Sequence, residues 1–222
     1  MTVSLLVATR NKGKLAELRE LVADLGVTLL SLDEVRGAPR DVVEDGATFE
    51  DNARKKALEY ARATGLPTLA DDSGLEVDAL AGEPGVRSAR FAGARATDGE
   101  NNRLLLSRLE EFGGDERTAR FRCVLAFADL RGPLGEAVHL ARGVCEGRIL
   151  SGPRGASGFG YDPLFVPEVP GDRTLAELRS DEKNAISHRA EASRQMVAFL
   201  REYLGDRPEE PPRRSRRVSR RP

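Results

Sequence analysis

Leu69-Ala70-Asp71-Asp72-Ser73-Gly74-Leu75 is the stretch of sequence around which the rest of this chain is organised. Here an apolar run ends in two adjacent carboxylates, which are followed by a hydroxyl and a glycine. Residues 68–70 are typical of a short buried strand, and Gly74 makes the backbone flexible just after the acids. We therefore expect both carboxylates at a strand end. Ligands bind at strand ends of open α/β sheets, and adjacent carboxylates require a proton, a basic partner or a divalent cation. The alternative is a solvated turn, because Asp, Ser and Gly are ordinary turn formers.

The composition is that of a globular domain followed by a basic tail. Of 222 residues, 40% are hydrophobic and 32% are charged, and the net charge is −1. Residues 213–222 contain six arginines and no acid, so residues 1–212 carry a net charge of −7. An acidic body argues against a nucleic-acid groove and suits an enzyme that binds a polyphosphate with its metal. We predict a catalytic domain over 1–205 and a disordered basic tail over 206–222. Nucleic-acid binding is not expected of the domain, and the basic tail is the one segment that could support it.

The cysteines and the N-terminus bear on the cell compartment. Cys123 and Cys145 each lie in a strand-like apolar run, without the spacing of a disulfide framework or a zinc site. We interpret both as core thiols. The N-terminus has no positive region before its apolar segment, and no apolar run is long enough to span a bilayer. We therefore expect a cytoplasmic protein without membrane contact.

The first 32 residues predict a βαβ unit with a phosphate-binding loop. An apolar strand over 3–8 leads into Thr9-Arg10-Asn11-Lys12-Gly13-Lys14, then into a helix that Gly26 ends, and then into a second strand over 27–32. Free N–H groups, the helix dipole and the lysines favour an anion at this loop. A solvated, lysine-rich first helical turn is the alternative.

A second helix is predicted to place a lysine beside the two acids. The loop Val43-Glu44-Asp45-Gly46-Ala47 puts a carboxylate next to a flexible joint, and Thr48 caps the helix that follows. Asn52, Lys56 and Tyr60 recur every four residues and therefore share one face. We expect this face to direct Lys56 toward Asp71 and Asp72. A solvated helix lysine is the alternative.

The second half of the chain predicts antiparallel pairing. Residues 119–127 alternate apolar and polar side chains, and a turn leads to a partner strand over 136–150. Together with the parallel opening, this hairpin indicates an α/β fold. We predict an elongated mixed parallel and antiparallel sheet with flanking helices, in which two lobes surround a central cleft.

Two later clusters are suited to binding a ligand, one through aromatic rings and the other through donors. Phe159-Gly160-Tyr161-Asp162 lies in a glycine-rich span, where backbone can approach a ligand and the aromatic rings can flank it. Lys183, His188 and Arg189 surround a helix start that Ser187 can cap. Such donors can meet an anion or a carbonyl oxygen. The alternatives are a mobile hairpin with two anchoring aromatics and a set of solvated side chains.

Taken in order, these segments resemble the inosine/xanthosine triphosphate pyrophosphatase family, whose members remove non-canonical purine nucleotides. The similarity covers roughly residues 3–204. Its most specific pieces are Ala8 to Lys14, Thr48-Phe49 with Asn52-Ala53 and Lys56-Ala57, Ala70 to Leu75, Gly158 to Pro163 and Ser187-His188-Arg189. The resemblance implies an elongated mixed α/β fold, a homodimer and a requirement for Mg²⁺.

The same resemblance assigns roles to residues. The phosphate-binding residues are Thr9, Arg10, Asn11, Lys12, Gly13 and Lys14, and the metal ligands are Glu44 and Asp72. The catalytic residues are Lys56, Asp71 and Asp72, with Asp72 as the proton acceptor. Ser73 contacts the substrate, and the base pocket consists of Phe159, Gly160, Tyr161, Asp162, Lys183, His188 and Arg189. Asp51 departs from the Glu of many relatives, and the basic tail has no counterpart.

The implied reaction is consistent with these residue types. Cleavage between the α- and β-phosphates requires a cation, lysines that hold pyrophosphate, and an oriented water. Hypoxanthine and xanthine present a C6 carbonyl to donors such as Arg189, whereas adenine presents an amino group that such donors reject. The alternatives are a pyrophosphatase for other modified or pyrimidine nucleotides, a non-catalytic Mg²⁺-nucleotide sensor, and a nucleic-acid binder that uses the tail.

Overall fold

The fold is built on one mixed sheet, shown by a computed structural model that describes residues 3–39 and 41–205. Within these residues six strands lie in the order β2-β1-β3-β4-β5-β6. The strands are β1 (Ser4–Ala8), β2 (Thr28–Ser31), β3 (Thr68–Val77), β4 (Thr118–Ala128), β5 (Val138–Ile149) and β6 (Phe165–Pro167). The helices are α1 (Lys12–Leu21), α2 (Phe49–Thr64), α3 (Asp98–Arg108), α4 (Ser180–Ile186) and α5 (His188–Gly205).

The sheet changes from parallel to antiparallel pairing at β3. β1 pairs in parallel with β2 and with the start of β3, as far as Ala8 beside Ala70. From β3 onward the neighbours β4, β5 and β6 pair antiparallel. The βαβ opening, the long hairpin and the mixed α/β sheet with flanking helices are therefore confirmed.

The structure corrects the expected position of the two acids. Asp71 and Asp72 lie inside β3, which continues to Val77, rather than at the end of a short strand. β4 pairs along the whole of β3 and keeps its backbone extended through both acids. The parallel neighbour β1 ends at Ala8, so the carboxylates lie beside the loop that follows β1. They thus lie at the carboxyl end of the parallel part of the sheet, where ligands bind in α/β folds.

Gly74 also has a different role from the predicted one. It continues the extended strand, and a Cβ atom at this position would lie 2.4 Å from the Ser88 hydroxyl oxygen. That hydroxyl accepts a hydrogen bond from the Leu75 N–H at 2.9 Å. Glycine is therefore required for the close approach of the 3₁₀ segment Gly85–Arg90, and not for a turn.

The predicted helix starts are largely confirmed. The Thr48 hydroxyl accepts from the Asp51 N–H at 3.1 Å and caps α2, and the Ser187 hydroxyl accepts from the Ala190 N–H at 3.2 Å at the start of α5. α1 begins earlier than expected, inside the predicted phosphate loop. Its cap is the side chain of Asn11, which accepts from the Lys14 N–H at 3.1 Å.

Alternating residues of the central strands bury opposite faces of the sheet. Ala70 of β3 and Val124 of β4 pack with the alanines of α2, whereas their neighbours Leu69 and Leu125 pack with α5. Successive side chains of a strand point to opposite faces, so α2 and α5 cover the two sides of the sheet. The site-bearing part of β3 is therefore held between two helices.

Several further predictions concern the chain as a whole. Cys123 and Cys145 are buried thiols, as predicted. Across residues 3–39 and 41–205, no helix is long and apolar enough to cross a bilayer. The predicted disordered tail over 206–222 lies outside the described residues, and the boundary of the catalytic domain at residue 205 stays a prediction.

Candidate active site

Lys56 lies between two carboxylates that come from different parts of the chain. Its Nζ atom is 2.8 Å from Asp72 Oδ1 and 3.2 Å from Glu44 Oε2, and it donates to the Asp71 carbonyl at 2.7 Å. The Lys56 and Asp72 side chains are 8% and 7% exposed. The shared face of α2 therefore brings Lys56 to the acids as predicted. The catalytic roles of these residues stay predictions.

The three groups perturb one another's ionisation. Burial raises the pKa of Asp72 to about 6, in spite of the nearby Lys56 charge. The pKa of Glu44 is lowered, because Lys56 and a hydrogen bond with Asp72 outweigh its burial. The pKa of Lys56 is raised, because Asp72 and Glu44 outweigh burial. As the pH falls, Asp72 therefore takes up a proton before Glu44 does. The raised pKa of Lys56 keeps that lysine charged.

The Glu44–Asp72 pair fits a hard divalent cation that keeps part of its own water shell. In the part of the chain that the structure describes, no three His, Cys, Asp or Glu side chains are arranged to hold a metal ion. Two carboxylates nevertheless suffice for a cation such as Mg²⁺, which is bound through one or two carboxylates together with waters and substrate phosphates. The donor set thus fits a cation whose remaining ligands are waters or substrate phosphates.

Asp71 has a different environment from its neighbour, because its carboxylate is enclosed by donors. Lys14 Nζ lies 2.6 Å from Oδ1 and Arg189 Nε lies 2.8 Å from Oδ2, while the Ser73 hydroxyl donates to Oδ1 at 2.9 Å. The thiol of Cys123 adds a contact of 3.4 Å. Burial alone would raise the pKa of Asp71, but Arg189 and Lys14 hold it well below its usual range. Asp71 therefore stays charged and joins the phosphate loop to α5.

Glu17 is a site residue that the sequence interpretation missed. Its carboxylate contacts Lys183 Nζ at 2.8 Å and also pairs with the Arg189 guanidinium. It lies one turn after Lys14 on α1, so the helical spacing of three residues is the signal that identifies it. Two cations of the predicted base pocket are thus held by an acid on the phosphate-binding helix.

Phe159 forms one wall of the predicted base pocket. The Lys183 ammonium lies 4.9 Å from its ring centroid and the Arg189 guanidinium carbon lies 5.7 Å from it. A Cβ atom at Gly13 would lie only 2.4 Å from the Phe159 ring. Glycine in the phosphate loop therefore lets the ring approach α1.

The other predicted base-pocket residues are more deeply buried. His188 stacks on Phe121 with ring centroids 4.8 Å apart, and burial lowers its pKa well below its usual range, so the imidazole is neutral. Its Nδ1 atom is buried and has no hydrogen-bond partner among the described residues. Asp162 accepts from Lys183 at 2.5 Å and from the Phe159 N–H at 2.9 Å. Tyr161 is in the core, where its hydroxyl donates to the Ser88 carbonyl.

These groups line two adjoining cavities. The first is bordered by Thr9, Arg10, Glu44, Lys56, Tyr60, Asp71, Asp72 and Arg90. The second is bordered by Phe159, Gly160, Tyr161, Asp162, Lys183, His188 and Arg189. Both cavities share Asn11, Lys14 and Ser73, so an extended ligand can occupy both. Lys12 borders neither of the two and instead lines a separate cavity between α1 and residues 31–34.

Comparisons with a protein family, with known sequences and with solved structures agree with one another. Residues 5–199 match the Ham1 family. The chain is 53% identical over 199 residues to a dITP/XTP pyrophosphatase of Desulforamulus reducens, which covers 89% of this chain and 96% of that protein. It is 52% identical to the dITP/XTP pyrophosphatase of Thermus thermophilus, over 88% of this chain and 90% of that protein.

Among solved structures, the chain is similar to a HAM1 protein from Coxiella burnetii. The TM-score is 0.79 at 44% sequence identity, and the match covers 90% of this chain and 100% of that protein. A nucleoside-triphosphatase / dITP/XTP pyrophosphatase from Mycobacterium abscessus matches with a TM-score of 0.69 at 43% identity, over 89% of this chain and 99% of that protein. By sequence and by fold, the chain belongs to the Ham1 family.

Proposed function

We propose that this chain hydrolyses the non-canonical purine nucleoside triphosphates dITP, ITP and XTP to the monophosphate and pyrophosphate. The observation that carries the proposal is the pair of adjoining cavities. An acid–lysine cluster borders one cavity, an aromatic and cationic pocket borders the other, and the phosphate loop lies between them. The relatives named dITP/XTP pyrophosphatase support the same substrate class.

In this proposal Asp72 accepts the proton of the attacking water. Its carboxylate is close to Glu44 and is held by Lys56 at 2.8 Å and by the Asn52 amide at 3.3 Å. A carboxylate whose pKa is raised toward neutrality is a better base than an ordinary aspartate. Lys14 and the N-terminus of α1 bind phosphate oxygens, and the buried charge of Asp71 keeps Lys14 in place. Glu44 and Asp72 would hold Mg²⁺, which neutralises phosphoryl oxygens when bound.

The second cavity selects the base in this proposal. Phe159 offers a face for the purine ring, and Lys183 and Arg189 supply donors at its edge. A C6 carbonyl of hypoxanthine or xanthine accepts from such donors, whereas the amino group of adenine leaves them unpaired, which costs free energy in a buried pocket. We further propose that the enzyme acts in the cytoplasm and that it forms a homodimer. Light scattering of the purified chain tests the dimer.

A substrate panel at fixed Mg²⁺ tests the function. We expect release of pyrophosphate from dITP, ITP and XTP at a kcat/KM well above that for dGTP, dATP and dTTP. Preference for dTTP or another pyrimidine would support the alternative pyrophosphatase. Binding of dITP without pyrophosphate release would support a nucleotide sensor. Either result would contradict the proposal.

Gly13→Ala tests whether Phe159 is part of the nucleotide site. The new Cβ would lie 2.4 Å from the ring, so the ring must move away from α1. We expect KM for dITP to rise about tenfold, equivalent to about 1.4 kcal/mol, with a smaller effect on kcat. Steady-state kinetics measure both constants. Gly152→Ala is the control, because a Cβ there meets no atom within 4 Å. An unchanged KM in Gly13→Ala would exclude Phe159 from binding.

A further inference from the structure

We propose that Asn52 is a positioning residue that fixes the Glu44 and Asp72 carboxylates relative to each other, and that Arg90 supports the Glu44 backbone. The inference rests on the proposed function only in treating these two carboxylates as the cation ligands. It assigns a task to two side chains to which the sequence interpretation gave no role in the site.

The backbone of Asp72 is held much more firmly than the backbone of Glu44. Asp72 is fixed by a central strand that pairs with β4 along its whole length. Glu44 belongs to residues 41–46, which have no regular secondary structure, and its side chain is 33% exposed. A metal site requires its ligands to be held by surrounding contacts, so Glu44 needs an anchor outside its own segment.

Asn52 provides that anchor with the two ends of one amide group. Its Nδ2 atom donates to Asp72 Oδ2 at 3.3 Å, and its Oδ1 atom accepts from the Gly46 N–H at 2.8 Å. Asn52 is fully buried on α2, one turn before Lys56. One rigid side chain therefore touches the Asp72 carboxylate and the backbone two residues after Glu44.

The loop backbone is shaped to fit this amide. A Cβ atom on Gly46 would lie 2.7 Å from Asn52 Oδ1 and 2.7 Å from the Asp51 Cβ atom. Glycine at this position is explained by close approach to the start of α2, because its backbone φ lies outside the left-handed region. A larger residue would push the Glu44 loop away from Asn52.

Arg90 holds the same loop at a second point. Its guanidinium donates to the Glu44 backbone carbonyl at 2.9 Å, from the end of the 3₁₀ segment Gly85–Arg90. Glu44 therefore lies between two backbone anchors, one at its own carbonyl and one at the Gly46 N–H. Its carboxylate is left to contact Lys56 and a cation.

An amide is the appropriate group for this position. It is at once a donor toward a carboxylate and an acceptor for a backbone N–H, whereas an aspartate in its place is an acceptor only. Asn52→Asp would keep the contact with Gly46 and add a negative charge beside Asp72. Asn52→Ala would remove both contacts, and Gly46→Ala would disturb the loop contact without changing any side chain of the cluster.

Mn²⁺ binding to the metal-free full chain, without nucleotide, tests the inference directly. Electron paramagnetic resonance measures the concentration of free Mn²⁺ during a titration. We expect the Kd for Mn²⁺ to rise about 10- to 100-fold in Asn52→Ala, the range for loss of an outer contact to a metal ligand. Gly46→Ala should give a rise of about tenfold, and Arg90→Gln a rise in the same direction.

Lys55→Gln is the matched control. Lys55 joins the same helix to the same loop through Asp45 at 2.6 Å, but this pair is at the surface. We expect its Kd for Mn²⁺ to stay within twofold of wild type. Thermal unfolding monitored by circular dichroism establishes whether each variant is folded. If Asn52→Ala does not fold, the Mn²⁺ affinity of Gly46→Ala tests the inference.

Two results would overturn the inference. One is wild-type Mn²⁺ affinity in folded Asn52→Ala or Gly46→Ala, and the other is an equal loss in Lys55→Gln. The same variants in Mg²⁺-dependent hydrolysis of dITP should need about tenfold more Mg²⁺ for half-activation, with kcat recovered at saturation. If the wild type bound Mn²⁺ but released no pyrophosphate, the proposed function would fail while the positioning role of Asn52 would stand.

Discussion

Asp72→Asn is expected to lower kcat for dITP roughly 10²- to 10⁴-fold, the range for loss of a positioned general base. Asparagine preserves the shape of the side chain and removes both its charge and its basicity. The contact with Lys56 at 2.8 Å can still form to the amide oxygen, whereas the amide nitrogen would replace the Asp72 oxygen that accepts from Asn52, so that hydrogen bond is lost together with the charge and the basicity. Steady-state release of pyrophosphate at saturating dITP and Mg²⁺ measures it.

The pH dependence identifies which task Asp72 performs. Burial raises its pKa to about 6, so below that pH the carboxyl is protonated and accepts no further proton. In the metal-free, nucleotide-free protein this titration is expected near pH 6. The kcat/KM of the wild type should therefore fall as the pH decreases through the pKa of Asp72 in the working enzyme. Asp72→Asn should lack this step, and its residual rate should climb as hydroxide becomes more abundant.

The metal requirement separates a base from a ligand. Loss of a ligand raises the Mg²⁺ concentration for half-activation, and excess metal restores the rate. We expect this effect to be larger in Glu44→Gln than in Asp72→Asn, and the pH effect to be larger in Asp72→Asn. Near-wild-type turnover of Asp72→Asn at neutral pH and ordinary Mg²⁺ would contradict the central role given to the 69–75 stretch.

The features that the sequence predicts well are those set by local pattern. The strand over 3–8, the capped start of α2 and the long hairpin each depend on neighbouring residues, through apolar spacing, a hydroxyl cap or period-two alternation. The approach of Lys56 to Asp72 was predictable for the same reason, since a face of α2 and the next strand are close in the chain.

The features that the sequence did not predict depend on distant neighbours. The extension of β3 through Asp71 and Asp72 is imposed by β4, about fifty residues later, because the ladder overrides the turn preference of Asp-Asp-Ser-Gly. The pairing of Glu17 with Arg189 joins α1 to α5. Gly74 is explained by the Ser88 hydroxyl and the Gly85 carbonyl, which approach it in space and which a local pattern does not contain.

Arg189→Ala is expected to have the second large effect, on stability and on base choice together. The Arg189 guanidinium is 1% exposed and pairs with Asp71 at 2.8 Å, with the Ser73 hydroxyl at 2.8 Å and with Glu17. Removing one partner of a buried pair leaves the other charge unsatisfied, which typically costs about 3–5 kcal/mol. Urea unfolding measures this change in the free energy of unfolding.

A surface ion pair with the same shortest N···O distance provides the control. Arg179 lies 2.8 Å from Asp181, with both side chains about 70% exposed, whereas the Asp71–Arg189 pair has the same separation inside the protein. Exposed pairs contribute about 0–1 kcal/mol, so Arg179→Ala should leave the free energy of unfolding nearly unchanged. Equal losses in the two variants would show that burial does not determine the contribution of Arg189.

The catalytic consequence of Arg189→Ala distinguishes base recognition from support. An arginine has five N–H donors, and the contacts described above use one on each nitrogen, so each terminal nitrogen retains a second donor. If one of these meets the C6 carbonyl, kcat/KM for dITP should fall about 30-fold or more, equivalent to about 2 kcal/mol, and the value for dATP should fall much less. Arg189→Lys, which keeps the charge but not the planar fork, should retain more stability than Arg189→Ala without restoring the preference for dITP. Equal losses on dITP and dATP in folded Arg189→Ala would mean that Arg189 only holds Asp71 and Glu17 in place, and base selection would then rest on His188 and Lys183.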